Sequence, residues 1–215
     1  MTALPGTSTP TAHAEASTSL LYRTLGAHRT ASLSLAPRSP STRLATAPDE
    51  RHQIQCQATL LRLLSITESF AAETLLFHAE QAVEPSAHPI TEKIWDRAAT
   101  TAVSGWLEQE KHYTAWLDVK DVDWKPMHRL AQARNAIAHG LGTLTRQQRR
   151  KRQSVHAALR TEAIPTDGDR IRLDDNAVSH AADTCRTFIH SLDVAVQQRH
   201  SAARPYNPAL QNSGA

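Results

Sequence analysis

The chain has 215 residues, 40% of them apolar, with 24 Lys and Arg against 21 Asp and Glu for a formal charge of +3. That suits one core-forming domain with an appendage, while a mean hydropathy of -0.45 and few aromatics imply that part of the chain stays outside the core. No apolar run approaches the roughly 20 residues needed to cross a bilayer and there is no secretory h-region, so a cytoplasmic protein that does not enter a membrane is expected.

Residues 1–48 are rich in Ala, Ser, Thr and Pro, with Glu15 their only acid. Such a segment buries too little apolar surface to offset its ordering entropy, so a disordered tail is expected, with at most a transient turn at Leu20, Leu21, Tyr22 and Leu25. Its arginines and hydroxyls also fit a transit peptide, and a mis-assigned start would explain it equally well. From Pro48-Asp49-Glu50 the pattern becomes helical, and the domain is expected to span residues 49–201, followed by a tail over 202–215. Ile54, Ala58, Leu61, Leu64 or Ser65, Glu68, Ala72, Leu75 and Ala79 trace one stripe, widened by Leu60, Leu63 and Phe70. Glu68 interrupts that stripe: it faces solvent, or as a buried carboxylate it needs a partner, for which Arg134 is a candidate.

Glu84 to Pro89 breaks the helix, and a second runs from Ile90 through Ile94, Trp95, Ala98 and Ala102. One or two short helices follow between 106 and 120. Trp106, Tyr113, Trp116 and Trp124 read as core residues first, with stacking on a base the alternative for Lys111, His112 and Tyr113. Pro126 suits the first turn of a helix over 126–139 that buries Met127, Leu130, Ala133 or Arg134, and Ile137. Thr145 then caps a basic helix carrying Arg146, Arg149, Arg150, Lys151, Arg152 and Arg160. No acid stands between Asp123 and Glu162. Such a run is a solvated face or a contact for a phosphate backbone. Ile164 to Leu173 reads as a small β-hairpin around Asp167-Gly168, with Arg170 and Arg172 opposite Ile171 and Leu173. Asp174 or Asp175 caps the last helix, whose stripe is Val178, Ala182, Cys185, Ile189, Leu192 and Val196. Cys56 and Cys185 read as buried thiols. Neither has a Cys/His neighbour at ligand spacing, so neither a metal nor another cofactor is expected.

The stretch that organises the rest is Arg134-Asn135-Ala136-Ile137-Ala138-His139-Gly140. Arg134 and His139, five apart on a helix, stand about 140° apart round its axis, while Asn135 and His139 share a face. Gly140 fits the position just past the helix end, which puts His139 in the last turn. On spacing alone these residues read as caps or solvated side chains. The pattern Arg-Asn-x-x-Ala-His-Gly, however, resembles the R-x4-6-H signature of HEPN domains. Leu144-Thr145, Asp169 to Leu173 and Cys185 to Asp193 are similar to the branch called RiboL-PSP-HEPN.

The resemblance implies an all-α, HEPN-like helical bundle, commonly a homodimer in which two motif helices form one cleft. It also implies metal-independent cleavage of RNA in a prokaryotic defence or toxin-antitoxin context, with an antitoxin or defence-system protein as a possible partner. His139 would be general base or acid for attack of the ribose 2′-OH on the adjacent phosphate, leaving a 2′,3′-cyclic phosphate. Arg134 would hold the phosphate, Asn135 would orient the histidine or the scissile group, and Glu68 would orient Arg134. Arg146, Arg149, Arg150, Lys151 and Arg152 would bind RNA. The alternatives are a non-catalytic HEPN module that binds RNA, nucleotide or a partner protein, and a bundle in which these residues are structural.

Overall fold

The computed structural model describes residues 9–34, 48–82 and 89–203. The elements run α1 (Ala12–Ser34), α2 (Pro48–Ala82), α3 (Pro89–Ala102), α4 (Trp106–Leu117), α5 (Lys125–Gly140), α6 (Arg146–Arg149), α7 (Arg152–Thr161), β1 (Thr166–Asp167), β2 (Arg170–Ile171) and α8 (Asp175–Ala203). The fold is all-α with one small hairpin before the last helix. Helices α1, α2 and α8 pack on one another, α4 and α5 lie against α2, and α7 lies against α5.

The first correction concerns α1, which falls in the segment expected to be a tail. Ala14, Ser17, Leu21 and His28 recur on one face and are buried, with Leu25 packed beside them. The stripe is small and polar, so composition hides it. Tertiary contacts hold it instead. Thr11 caps the helix by accepting from the Ala14 amide at 3.2 Å. Asp193 of α8, 2% exposed, accepts from the Thr11 amide at 3.0 Å and from its hydroxyl at 2.6 Å. The domain therefore includes residues 12–34. The rest of the expected tail, residues 1–8 and 35–47, lies outside the described residues, as do Glu84 to His88 of the expected break and the tail beyond Ala203.

Helix α2 buries the expected Leu64, Leu75 and Ala79 with Leu60, Leu63 and Phe70 beside them, but the start of the expected stripe, Ile54 and Ala58, faces outward. Ile54 is 57% exposed, whereas Cys56, Leu60, Leu63, Ile66, Phe70 and Ala71 are buried. Four neighbours pack on this helix (α1, α8, α4 and α5), and one exposed face remains along Ile54, Ala58, Arg62, Ser65, Ser69, Glu73 and Phe77. Gln53 uses its buried amide as a clamp on the backbone of Leu173: its Oε1 accepts from the Leu173 amide at 2.9 Å and its Nε2 donates to the carbonyl.

Trp106, Tyr113 and Trp124 are core, and Trp116 packs against it partly buried. Tyr113 is fully buried and donates to the Ala71 carbonyl at 2.7 Å. Trp124 lies 4.9 Å from Phe188 and 5.3 Å from Tyr113, so Tyr113 offers no face to a base. The two cysteines are unpaired and buried. Burial raises both thiols to about 12, and for Cys56 the nearby Asp175 and Asp174 add to the effect. Along α8 the expected stripe from Val178 to Val196 is buried throughout, and Asp174 is its cap, accepting from the Ala177 amide at 2.7 Å.

Candidate functional site

Asp123 starts the motif helix by accepting from the Lys125 amide at 3.0 Å, and Pro126 occupies its first turn. Met127, Leu130, Ala133, Ala136 and Ile137 turn to the core. Arg134 and Asn135 are consequently half-buried at its edge, and Ala138 and His139 are exposed.

The helix continues one residue further than expected, through Gly140. The left-handed position belongs to Leu141, at φ 52° and ψ 41°, a conformation that costs a non-glycine residue roughly 1 kcal/mol. The next residue explains why the chain accepts it. Gly142, at φ 83°, is pressed against Gln57, whose Nε2 would stand 3.0 Å from an added Cβ. Its carbonyl accepts from the Ile171 amide at 2.8 Å, and the Leu144 amide donates to the Asp169 carbonyl at 2.8 Å. The hairpin thus holds the chain leaving the motif through an isolated antiparallel bridge between Thr143 and Arg170. Leu141 at the corner is left 94% exposed.

Although Arg134 and His139 point to different sides of the helix, the long guanidinium spans the gap. Its Nη1 stands 3.3 Å from His139 Nε2 and 3.3 Å from Asn135 Oδ1. A guanidinium can only donate, so in this contact Nε2 carries the ring's lone pair and the proton of a neutral imidazole is on Nδ1. The three motif residues form one hydrogen-bonded unit, a bridge that their spacing on the helix does not imply.

Two cavities flank that unit. One, of about 560 Å³, is lined by His139, Asn135, Gln132, Arg146 and Lys151, with no acid among its lining residues. The other, of about 460 Å³, is bounded by Arg134, Asn135, Glu68, Glu108 and His128. Glu68 therefore shares a cavity with Arg134, but the two make no ion pair within 4.0 Å among the described residues. Burial raises the Glu68 carboxyl above its ordinary range, and the Arg134 charge opposes that shift.

The expected single basic helix is two helices. Thr145 caps α6 as a capping box: its hydroxyl accepts from the Gln148 amide at 3.2 Å, and Gln148 Oε1 accepts from the Thr145 amide at 3.0 Å. Buried Gln148 also donates to the Gln132 carbonyl at 2.8 Å, tying α6 to the motif helix. The chain then breaks at Arg150 and Lys151, and α7 restarts so that Val155 and Leu159 face the core. The break divides the cations Arg146, Arg149, Arg150, Lys151 and Arg152 between two helices and the link that joins them. Their fates diverge. Arg146 and Lys151 line the His139 cavity. Arg149 donates to the Leu144 carbonyl at 2.9 Å, and Arg152 pairs with Asp169 at 2.8 Å. Arg150 is simply exposed.

No family model, curated protein or solved structure matches the chain. Among the described residues, no helix is long and apolar enough to cross a membrane.

Proposed function

We propose that the protein is an endoribonuclease of HEPN type, with Arg134, Asn135 and His139 as its catalytic unit. The observation that carries this reading is the contact of Arg134 with His139 Nε2 at the rim of a cavity lined by Arg146 and Lys151 and free of acids. A proton acceptor, a forked cation and a basic recess are the parts that phosphodiester transesterification needs. A phosphate entering the recess is drawn by Arg146 and Lys151 and displaces Arg134 from the imidazole, so that Nε2 becomes free to accept a proton. The 2′-oxygen, losing its proton to His139, attacks the adjacent phosphorus. Arg134 neutralises the charge that builds on the non-bridging oxygens, its two-pronged donor set matching two of them. The bond from phosphorus to the 5′-oxygen breaks, and that oxygen takes a proton from an imidazolium. The products are a 2′,3′-cyclic phosphate and a 5′-hydroxyl.

A second copy of the chain would supply that imidazolium. His139, Ala138 and Leu141 are exposed together at the end of the motif helix, which supports pairing of two motif helices there. The test is cleavage of end-labelled total RNA by purified protein with His139→Ala alongside. Cleavage is expected to fall by about 100-fold or more in the variant. Equal cleavage by both proteins would refute the assignment.

A further inference from the structure

Away from the motif, three helices bring four metal-ligating side chains to one point. His52 and Cys56 are one turn apart on α2, His28 reaches in from α1, and Asp175 stands in the first turn of α8. Asp175 Oδ1 is 3.0 Å from His28 Nε2 and 2.9 Å from His52 Nε2. Cys56 Sγ is 3.6 Å from His52 Nε2, and the donor atoms of His28, Cys56 and Asp175 all lie within 4.8 Å of one another. We propose that His28, His52, Cys56 and Asp175 form a structural site for a divalent transition-metal ion, zinc by the chemistry of the donors, that fastens α1 to the bundle.

Three of the separations approach those of a tetrahedral ion, whereas the donors that lie within 4.8 Å of one another are those of His28, Cys56 and Asp175, so His52 has to turn inward to complete the set. Bond lengths of about 2.1 Å to nitrogen, 2.0 Å to oxygen and 2.3 Å to sulfur give tetrahedral edges of about 3.3 Å for nitrogen to oxygen and about 3.6 Å for nitrogen to sulfur. The His52–Cys56 edge matches, the two imidazole–carboxylate separations are a few tenths of an ångström short, and the remaining edges have to close as the ion binds. The surrounding hydrogen bonds orient the donors. The Thr59 hydroxyl donates to the Gln55 carbonyl at 2.8 Å, so its oxygen accepts from His28 Nδ1 at 3.1 Å. In neutral His28 that puts the lone pair on Nε2, aimed at a carboxylate oxygen. A cation between the two is what this arrangement accommodates. His28 and Cys56 are buried, whereas the Asp175 side chain is 59% exposed and leaves a way in. Sulfur, two imidazoles and one carboxylate favour zinc over the oxygen-seeking calcium and magnesium. Binding exchanges the thiol proton of Cys56 for the metal and releases that proton to solvent.

The spacing was visible in the sequence: His52 and Cys56 are four apart on a helix, a ligand pair that a search for Cys-x-x-Cys patterns passes over. The proposal departs from the expectation of no metal-ligating set, because the other two donors come from helices that only the fold brings together.

The test uses the full-length protein. Zinc content is measured after purification and after reconstitution, and cobalt(II) is substituted as a spectroscopic probe. One equivalent of zinc per chain is expected, with a thiolate-to-cobalt charge-transfer band that disappears in Cys56→Ser. Thr59→Val, which keeps the side-chain volume, should weaken zinc binding by about 10- to 100-fold. Substoichiometric zinc after reconstitution of the wild-type chain would overturn the proposal. So would cobalt binding without a thiolate band, or zinc affinity unchanged in Cys56→Ser.

Discussion

Asp193→Ala tests whether the N-terminal helix belongs to the domain. The carboxylate is buried in α8 and accepts two hydrogen bonds from Thr11, from the amide at 3.0 Å and the hydroxyl at 2.6 Å, and a third from Gln197 at 2.8 Å. Gln197 can turn to solvent and is left out of the estimate. Each hydrogen bond to a charged group contributes about 1.5–3 kcal/mol net. Two lost at the lower end of that range, with Thr11 still capping Ala14, give a loss of about 3 kcal/mol. Asp193→Asn keeps one acceptor and should lose about half as much. Urea unfolding measures the loss, and amide hydrogen exchange shows where it falls, with residues 12–20 expected to exchange faster in the alanine variant. A change below about 0.5 kcal/mol, within the range of ordinary surface substitutions, and unaltered exchange would mean that α1 is not docked on Asp193.

Three other outcomes follow from particular contacts. Replacing Arg146 and Lys151 together by alanine should weaken RNA binding and reduce the slope of log affinity against log salt by about 1.4, if each cation contacts one phosphate of a single strand; an unchanged slope would remove them from the RNA path. His78 is held below its ordinary value of 6.5 by burial first and then by His200, whose ring lies 5.5 Å away. Between the lowered value and 6.5 the unfolded chain binds a proton that the folded chain does not, so stability falls as pH drops through that window. Thermal melts of His78→Gln between about pH 5 and 8 should show a shallower decline, and an identical profile would assign the acid sensitivity elsewhere. Gln109 is fully buried with neither amide atom hydrogen-bonded among the described residues. Gln109→Met should therefore stabilise the fold by about 1–2 kcal/mol in denaturant titration, and a loss of that size would show the amide to be satisfied.

What the sequence made legible depended on how local its causes are. Pro126, the Thr145 cap, the Asp-Gly turn and the stripe of α8 act within a few residues, and the structure has each of them. The phase of the first turns of α2 was not legible, because there the exposed face carries Ile54 and Ala58 while the buried face carries Gln53 and Thr59, so apolarity alone does not mark the core side. Helix α1 was hidden in the same way: its buried face is Ala14, Ser17, Leu21 and His28, and its stability comes from Asp193 and from the convergence on Asp175. The break between α6 and α7 reflects two demands on one basic run, burial of Gln148 against Gln132 and burial of Val155 and Leu159 against α5. At the motif, the placement of Arg134, Asn135 and His139 on one helix end was legible. The bridging of five residues by one guanidinium was not, since it depends on a rotamer. Nor was the left-handed Leu141, because the steric need for glycine lies one residue later, where Gly142 meets Gln57.

The central claim is that a ribose hydroxyl attacks its own phosphate under the action of His139 and Arg134. The most direct measurement takes an RNA whose cleavage site has been mapped and compares it with the same oligonucleotide carrying a 2′-O-methyl group at the scissile ribose. Cleavage of the unmodified strand to a 2′,3′-cyclic phosphate, and none at the methylated position, is the predicted result. Cleavage of both strands at the same bond would contradict the account, because the nucleophile would then have to be water.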